Sequence, residues 1–316
     1  MSSPVHIMVL CNNEMAIPAM QLLYQNGSLG AVLVPEKNTT LFSLMKQMLM
    51  GTGVSLISVN KKTLEPVIKK TATEKNITAA WLMTFSYIIP KPLLSMLPGG
   101  FINFHYGLLP QYRGANPVLA QMLKGEKESG ITVHVADENI DTGPVVMQHK
   151  IAIEDRDTFG MQLQKLGILG ATMVQPLLQF YQFSPVLPSV PQDETKAYYF
   201  KKPVAADLMI NWDTMGSRQI IRLINACNPW NKGAGAIVNG KGVCLTDAML
   251  TDDIHHDTAT LPGTIIALSE RAGLKIYCLD NMVIKITVIS TSEGFFAGNR
   301  LADYGAKIND RFLSVN

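Results

Sequence analysis

Val5-His6-Ile7-Met8-Val9-Leu10 sets the fold class: an almost unbroken apolar run ending in the polar turn Cys11-Asn12-Asn13. A run without polar alternation reads as a strand buried on both faces, as in a parallel sheet covered by helices. Outward from it, strand and helix patterns alternate. A helix is predicted over Met15 to Gln25, stopped by Asn26-Gly27. Strands follow over Leu29 to Val34, Val54 to Val59 and Ala79 to Thr84, separated by helical stretches over Leu41 to Met50 and Lys62 to Lys75. This alternation with short turns predicts an α/β domain built on a doubly wound, mostly parallel sheet. Such sheets take ligands in the crevice outside the carboxyl ends of their strands. Asn13, Phe85-Ser86-Tyr87 and Asn103 with His105 all fall near such ends.

The stretch from Phe101 to Ile153 carries the chemistry. Asn103 and His105 sit two apart in an apolar run, so a strand there would turn both side chains to one face. Leu108-Leu109-Pro110, a Tyr112-Arg113-Gly114 turn and a helix over Pro117 to Lys124 come next. A second strand, Gly130 to Val135, then leads into the loop Asp137-Glu138-Asn139-Ile140-Asp141-Thr142-Gly143. One amide, one imidazole and one carboxylate at strand ends and loops supply an oxyanion donor, a proton carrier and a charge partner, the parts of an acyl-transfer site. Arg113 reads as structural support and Leu109-Pro110 as a cis bond in a tight turn. His134, alternating along a strand, and His149, in a polar turn, read as structural histidines.

Asn-x-His, Leu-Leu-Pro, Arg-Gly, Gly-Ile-Thr-Val and Asp-Thr-Gly, in this order, resemble the signature of the folate-dependent formyltransferases. The resemblance implies a Rossmann-like catalytic domain, catalytic residues Asn103, His105 and Asp141, and N10-formyltetrahydrofolate as formyl donor. It also implies a pterin pocket lined by Phe85, Ser86, Tyr87 and Ile88 and by the loop carrying Asp137, Asn139 and Ile140. Taken without it, Phe85 and Tyr87 read equally well as core packing. Members that act on tRNA carry a long, basic, glycine-rich lid after the second strand. Pro35-Glu36-Lys37-Asn38-Thr39-Thr40 is short and lacks it. Because an acceptor stem is held by basic phosphate contacts, a small-molecule amine is the expected acceptor. Methionyl-tRNA with a reduced lid, or water in a formyltetrahydrofolate hydrolase, are the alternatives.

A proline-rich stretch, Ser184-Pro185 through Pro191-Gln192-Asp193, separates the rest, giving a catalytic domain over 1–183, a linker over 184–200 and a C-terminal domain over 201–316. Met161 to Phe183 reads as a single helix-like pattern before it. The last third holds an amphipathic Ser217 to Cys227 and Asn228-Pro229-Trp230. Short strands follow at Ala236 to Val238, Val243 to Leu245, Gly263 to Ala267, Leu274 to Cys278 and Val283 to Val288, predicting a small OB-like barrel. Phe295 to Leu301 reads on packing alone as a terminal helix. Few basic residues or aromatics lie in these strands, so the barrel reads as a scaffold rather than a nucleic-acid module.

Composition fits that picture. Among 316 residues, 47% are hydrophobic and 16% charged, with a formal net charge of +2, which carries no whole-chain argument for nucleic acid or membrane. The four cysteines are scattered and the first turn is not Gly-x-Gly-x-x-Gly, so neither a metal knuckle nor a dinucleotide site is expected. Adjacent His255-His256 reads as an exposed loop rather than a metal pair. Reduced cysteines, an opening strand without a basic leader and no span-length apolar run point to the cytoplasm and away from membranes. None of these features bears on oligomeric state.

Overall fold

The computed structural model describes residues 4–255 and 259–314. The chain forms two compact units. The first runs to Pro117 and adds Glu128–Ala152 and Leu163–Phe200; the second takes Val118–Lys127, Ile153–Gln162 and the chain from Lys201 onward.

The first strand, β1 (Ile7–Cys11), is buried at all five residues, as an unalternated apolar run requires. Asn13 accepts from the Met15 amide at 2.9 Å and so starts the turn that leads into α1 (Ile17–Gln25). Gly27, at φ +68°, turns the chain into β2 (Leu29–Pro35). Then follow α2 (Thr39–Met48), β3 (Ser55–Val59), α3 (Leu64–Glu74), β4 (Ala79–Met83), a short α4 (Lys91–Leu94) and β5 (Phe101–His105). After the two-residue β6 (Arg113–Gly114) come α5 (Pro117–Lys124), β7 (Glu128–Val135), β8 (Val145–Ala152), α6 (Phe159–Thr172), α7 (Val174–Phe183) and β9 (Tyr199–Phe200).

The main sheet has the order β3-β2-β1-β4-β5-β7-β8. The pairs from β3 to β5 are parallel, and β7 and β8 join antiparallel. The sheet is therefore doubly wound and mostly parallel. Its strand order reverses between β1 and β4, where such sheets open a crevice at the carboxyl ends. A core of Met8, Leu10, Ala31, Leu33, Ala80, Leu82 and Phe101 fills one side.

The single helical pattern read over Met161 to Phe183 is two helices, broken at Met173. Pro176 has no N–H for the Thr172 carbonyl and its ring crowds that group, so one continuous helix cannot pass through it.

In the second unit, α8 (Ser217–Cys227) precedes β10 (Ala234–Val238), β11 (Lys241–Ile254), β12 (Ile265–Ser269), β13 (Gly273–Tyr277), β14 (Met282–Thr291), β15 (Gly294–Ala297) and β16 (Phe312–Leu313). They form one antiparallel sheet, β12-β13-β14-β11-β10-β16, with β15 on β14. A Thr264–Arg311 bridge brings its two ends together, curling the sheet into a barrel-like form around Trp212, Leu245, Ile276, Ile286 and Phe312.

Strand β11 is far longer than Val243 to Leu245. Its outer half, from Asp247 on, holds no buried residue, an exposure that an antiparallel pair with β14 permits. Phe295 to Leu301 is not a terminal helix but the end of β15 and a 3₁₀ turn over Gly298–Tyr304. Gly298 sits where a Cβ would lie 2.1 Å from the Ile286 carbonyl oxygen, so the chain enters that turn against backbone. No helix among the described residues is long and apolar enough to cross a membrane.

Candidate active site

β5 delivers Asn103 and His105 to the rim. Phe101 and Phe104 are buried in the sheet, while Asn103 and His105 turn to a common face, where both meet Asp141. Asn103 Nδ2 donates to Asp141 Oδ1 at 3.1 Å, and His105 Nδ1 lies 3.4 Å from the same oxygen. The backbone N–H of Gly114 donates to Asp141 Oδ2 at 2.9 Å. Asp141 itself has φ +58°, a left-handed conformation that aspartate tolerates better than most residues and that turns its carboxylate back toward β5.

The cluster is largely buried. His105 is 6% exposed and Asp141 9%. Burial pushes the Asp141 carboxyl up, but His105 charge, hydrogen bonding to His105 and the Gly114 amide outweigh it. Together they hold the group well below the usual carboxylate range. His105 Nε2 donates to the Tyr112 carbonyl at 2.5 Å, so oxygen acceptors face both ring nitrogens. A neutral imidazole donates to one of them at a time; an imidazolium satisfies both.

His134 belongs to this cluster, contrary to the purely structural role read from its strand position. Its Nε2 lies 3.0 Å from Asn103 Nδ2 and 3.6 Å from Asp141 Oδ1, while Nδ1 donates to the Val135 carbonyl at 2.9 Å. With Nε2 as acceptor, both amide hydrogens of Asn103 are engaged, one by His134 and one by Asp141. The antiparallel register sets Asn103 opposite His134 and His105 opposite Thr132. A sequence signal existed, since Thr132 and His134 alternate as Asn103 and His105 do. It becomes readable only once the two strands are known to pair.

Thr132 holds the loop beyond His105. Its hydroxyl donates to the Gly107 carbonyl at 2.7 Å and accepts from the Leu109 amide at 3.1 Å and Gln148 Nε2 at 2.8 Å. The Leu109–Pro110 bond in this loop is cis, as read from the turn. His149 lies on the edge strand β8, exposed, and not in a turn, because β8 runs on past the apolar part of its sequence.

The residues expected to line a pterin pocket lie on the same rim. Phe85 to Ile88 follow directly from β4, the neighbour of β5. Phe85 and Tyr87 are half-buried, in an edge-to-face pair 5.4 Å apart that packs on the core; Ser86 is exposed and Ile88 is 67% exposed. No hydrogen bond among the described residues ties these four to the Asn103–His105–Asp141 cluster. In the facing loop, Asp137 accepts from Thr142 Oγ1 at 2.7 Å and from the Asn139 amide at 3.1 Å, while Ile140 is 51% exposed. Lys91 and Glu138, 2.6 Å apart, link the segment after Ile88 to this loop.

Arg113 is 1% exposed and spends its guanidinium on Gln192 and Glu194, so it supports structure rather than facing a ligand. No group of three or more histidine, cysteine, aspartate or glutamate side chains suited to a metal occurs among the described residues. His255 Nε2 contacts Thr260 Oγ1 at 2.8 Å; His256 lies outside the described residues.

The model of the formyl transferase family matches residues 16–170, and that of the formyl transferase C-terminal domain matches 204–295. A methionyl-tRNA formyltransferase of Staphylococcus aureus is 33% identical over 228 residues, covering 72% of this chain and 70% of that protein. The chain belongs to the formyltransferase family. A second methionyl-tRNA formyltransferase, from Acetivibrio thermocellus, is 28% identical over 311 residues, covering 95% of this chain and 98% of its own.

Two solved structures share the fold. An N-formyltransferase from Helicobacter canadensis, in complex with folinic acid and dTDP-3-aminofucose, superposes with a TM-score of 0.68 at 18% identity, covering 89% of this chain and 98% of its own. HypX from Aquifex aeolicus, in complex with tetrahydrofolic acid, gives 0.65 at 16% identity, covering 98% of this chain and 51% of its own. The doubly wound sheet followed by a barrel-like sheet is thus the architecture of this formyltransferase.

Proposed function

We propose that this enzyme moves the formyl group of N10-formyltetrahydrofolate to the amine of a small molecule, with Asn103, His105 and Asp141 as its catalytic set. The observation that carries this reading is the largely buried cluster at the carboxyl rim of β5, where an ionised Asp141 meets both His105 and Asn103.

The acceptor amine, neutral when it attacks, adds to the formyl carbon. His105 and one Asn103 amide hydrogen then stabilise the tetrahedral oxyanion, for which Asn103 must release either His134 or Asp141. His105 gives a proton to the departing folate nitrogen, and the proton lost by the acceptor amine restores it. Asp141, held below the usual carboxylate range by its partners, stays ionised beside His105. Its part is to orient His105 and offset its charge. Phe85 to Ile88 and the loop with Asp137, Asn139 and Ile140 flank this point and form the proposed pterin pocket, apolar side chains covering the ring and backbone groups reading its edge.

A small acceptor is supported by the connection between β2 and α2. Only residues 36–38 span it, and Asn38 is pinned, capping the Leu41 amide at 3.1 Å and donating to the Asn12 carbonyl at 3.0 Å. Such a turn offers no basic arm for a tRNA acceptor stem. A methionyl-tRNA acceptor is the second reading, favoured by what the curated relatives do.

The test is turnover of N10-formyltetrahydrofolate followed by absorbance, with no acceptor, with charged initiator methionyl-tRNA, and with a panel of amino sugars and amino acids. Acceleration by a small amine supports the first reading. Acceleration only by the tRNA, falling steeply with salt as counterion release demands, would replace it with the second. Formate released at full rate without acceptor would make the enzyme a hydrolase.

A further inference from the structure

We infer that the segment 190–200, which closes a proline-rich stretch and is linker-like in sequence, is a clamp that holds the active site in register, with Gln192 as its positioning residue. The inference rests on the catalytic set proposed above. The two loops that complete the cluster are 106–114, which supplies the Tyr112 carbonyl to His105 and the Gly114 amide to Asp141, and 136–144, which carries Asp141. The first is loop up to the two-residue β6 and the second holds no strand, and a loop residue placed to within a fraction of an ångström needs support from outside itself.

The clamp touches both loops. Val190 pairs with Val145, its amide and carbonyl exchanging hydrogen bonds of 2.8 Å. Gln192 then spends its whole side-chain amide on the site. Its Nε2 donates to the carbonyls of Asp141, at 2.9 Å, and Gly143, at 2.8 Å. Its Oε1 accepts from Arg113 Nε at 3.2 Å and Nη2 at 2.8 Å. Because Arg113 has only donors, this orientation of the amide is the one that satisfies every partner.

Further along, Glu194 closes a two-pronged pair with Arg113, at 2.8 and 2.6 Å. The Tyr199 hydroxyl donates to the Ile140 carbonyl at 3.3 Å. β9 pairs with β6, Phe200 stacks on Tyr112 at 5.0 Å, and a Cβ on Gly114 would lie 3.0 Å from the Phe200 carbonyl oxygen. One strap thus fixes Asp141 through its backbone and, through Arg113–Gly114, the amide that binds its carboxylate. Holding φ +58° at Asp141 is the kind of local strain that surrounding contacts must over-determine.

The test uses two variants of the full chain. Gln192→Met removes all four contacts. Gln192→Glu keeps an oxygen for Arg113 but sets a carboxylate against two carbonyls. Misplacement of a reacting group by about 1 Å costs up to roughly 10²-fold in rate. Both variants should therefore lose about that factor in single-turnover formyl transfer, with donor affinity changed less than about threefold, as expected where only transition-state interactions are lost. In ¹⁵N-histidine NMR the His105 ring resonances should move while those of exposed His149 stay. The spectrum needs no turnover, so it reads the clamp even if the wild type transfers no formyl group. Rates within about threefold of wild type together with unmoved His105 resonances would overturn the inference. So would loss of donor binding and of cooperative unfolding along with rate, because that would reduce the segment to general stability.

Discussion

Replacing Asp141 with asparagine tests the core of the mechanism with the least disturbance of the backbone. Asparagine also tolerates φ +58°, so the loop can keep its path. The change removes one charge and one acceptor. Asp141 now accepts from Asn103 at 3.1 Å and from Gly114 at 2.9 Å; the carboxamide offers an oxygen to one and an N–H to the other.

The larger loss is the charge beside His105. At 3.4 Å and an effective dielectric of about 20, an imidazolium and a carboxylate attract by about 5 kcal/mol. If all of it were lost from the transition state, the rate would fall by between 10³- and 10⁴-fold, at about 1.4 kcal/mol per tenfold. A fall in kcat of about 10²–10³-fold is therefore expected, since part of the attraction is already present in the ground state. Single-turnover formyl transfer at saturating donor measures it, beside equilibrium donor binding, which should change little.

Stability should follow pH through the same carboxyl. The folded carboxyl is held below its unfolded value, so its contribution is full at neutral pH and is lost as pH falls below about 4. The stability gap between wild type and Asp141→Asn should shrink in the same direction. A variant within about tenfold of wild-type kcat would refute the charge-partner role.

Thr132→Val should cost about 1–3 kcal/mol in denaturant unfolding, because a buried hydroxyl that serves Gly107, Leu109 and Gln148 is lost while those groups stay buried. An unchanged midpoint would show that water replaces it. Burial pushes the thiols of Cys11, Cys227 and Cys278 up to about 12, so at pH 8 they should stay protonated and resist a disulfide reagent until the protein unfolds. Prompt native-state labelling of all four cysteines would contradict the packing around them.

The sequence alone determined the alternation of β1 through β4 with their helices, because a strand buried on both faces must be apolar throughout and that is visible in one dimension. It determined the pair Asn103 and His105 for the same reason, since a period of two is local. The helix break before Pro176 is local too, but the apolar pattern continues across it and hides it. Only the tertiary structure decided the rest of the site. His134 joins Asn103 through an antiparallel register between strands about thirty residues apart, which no short-range pattern encodes. Gln192 reaches Asp141 from a stretch whose prolines and polar residues read as linker. A side-chain amide takes its partners from whatever folding brings near, and a composition signal reports only the chain's local stiffness.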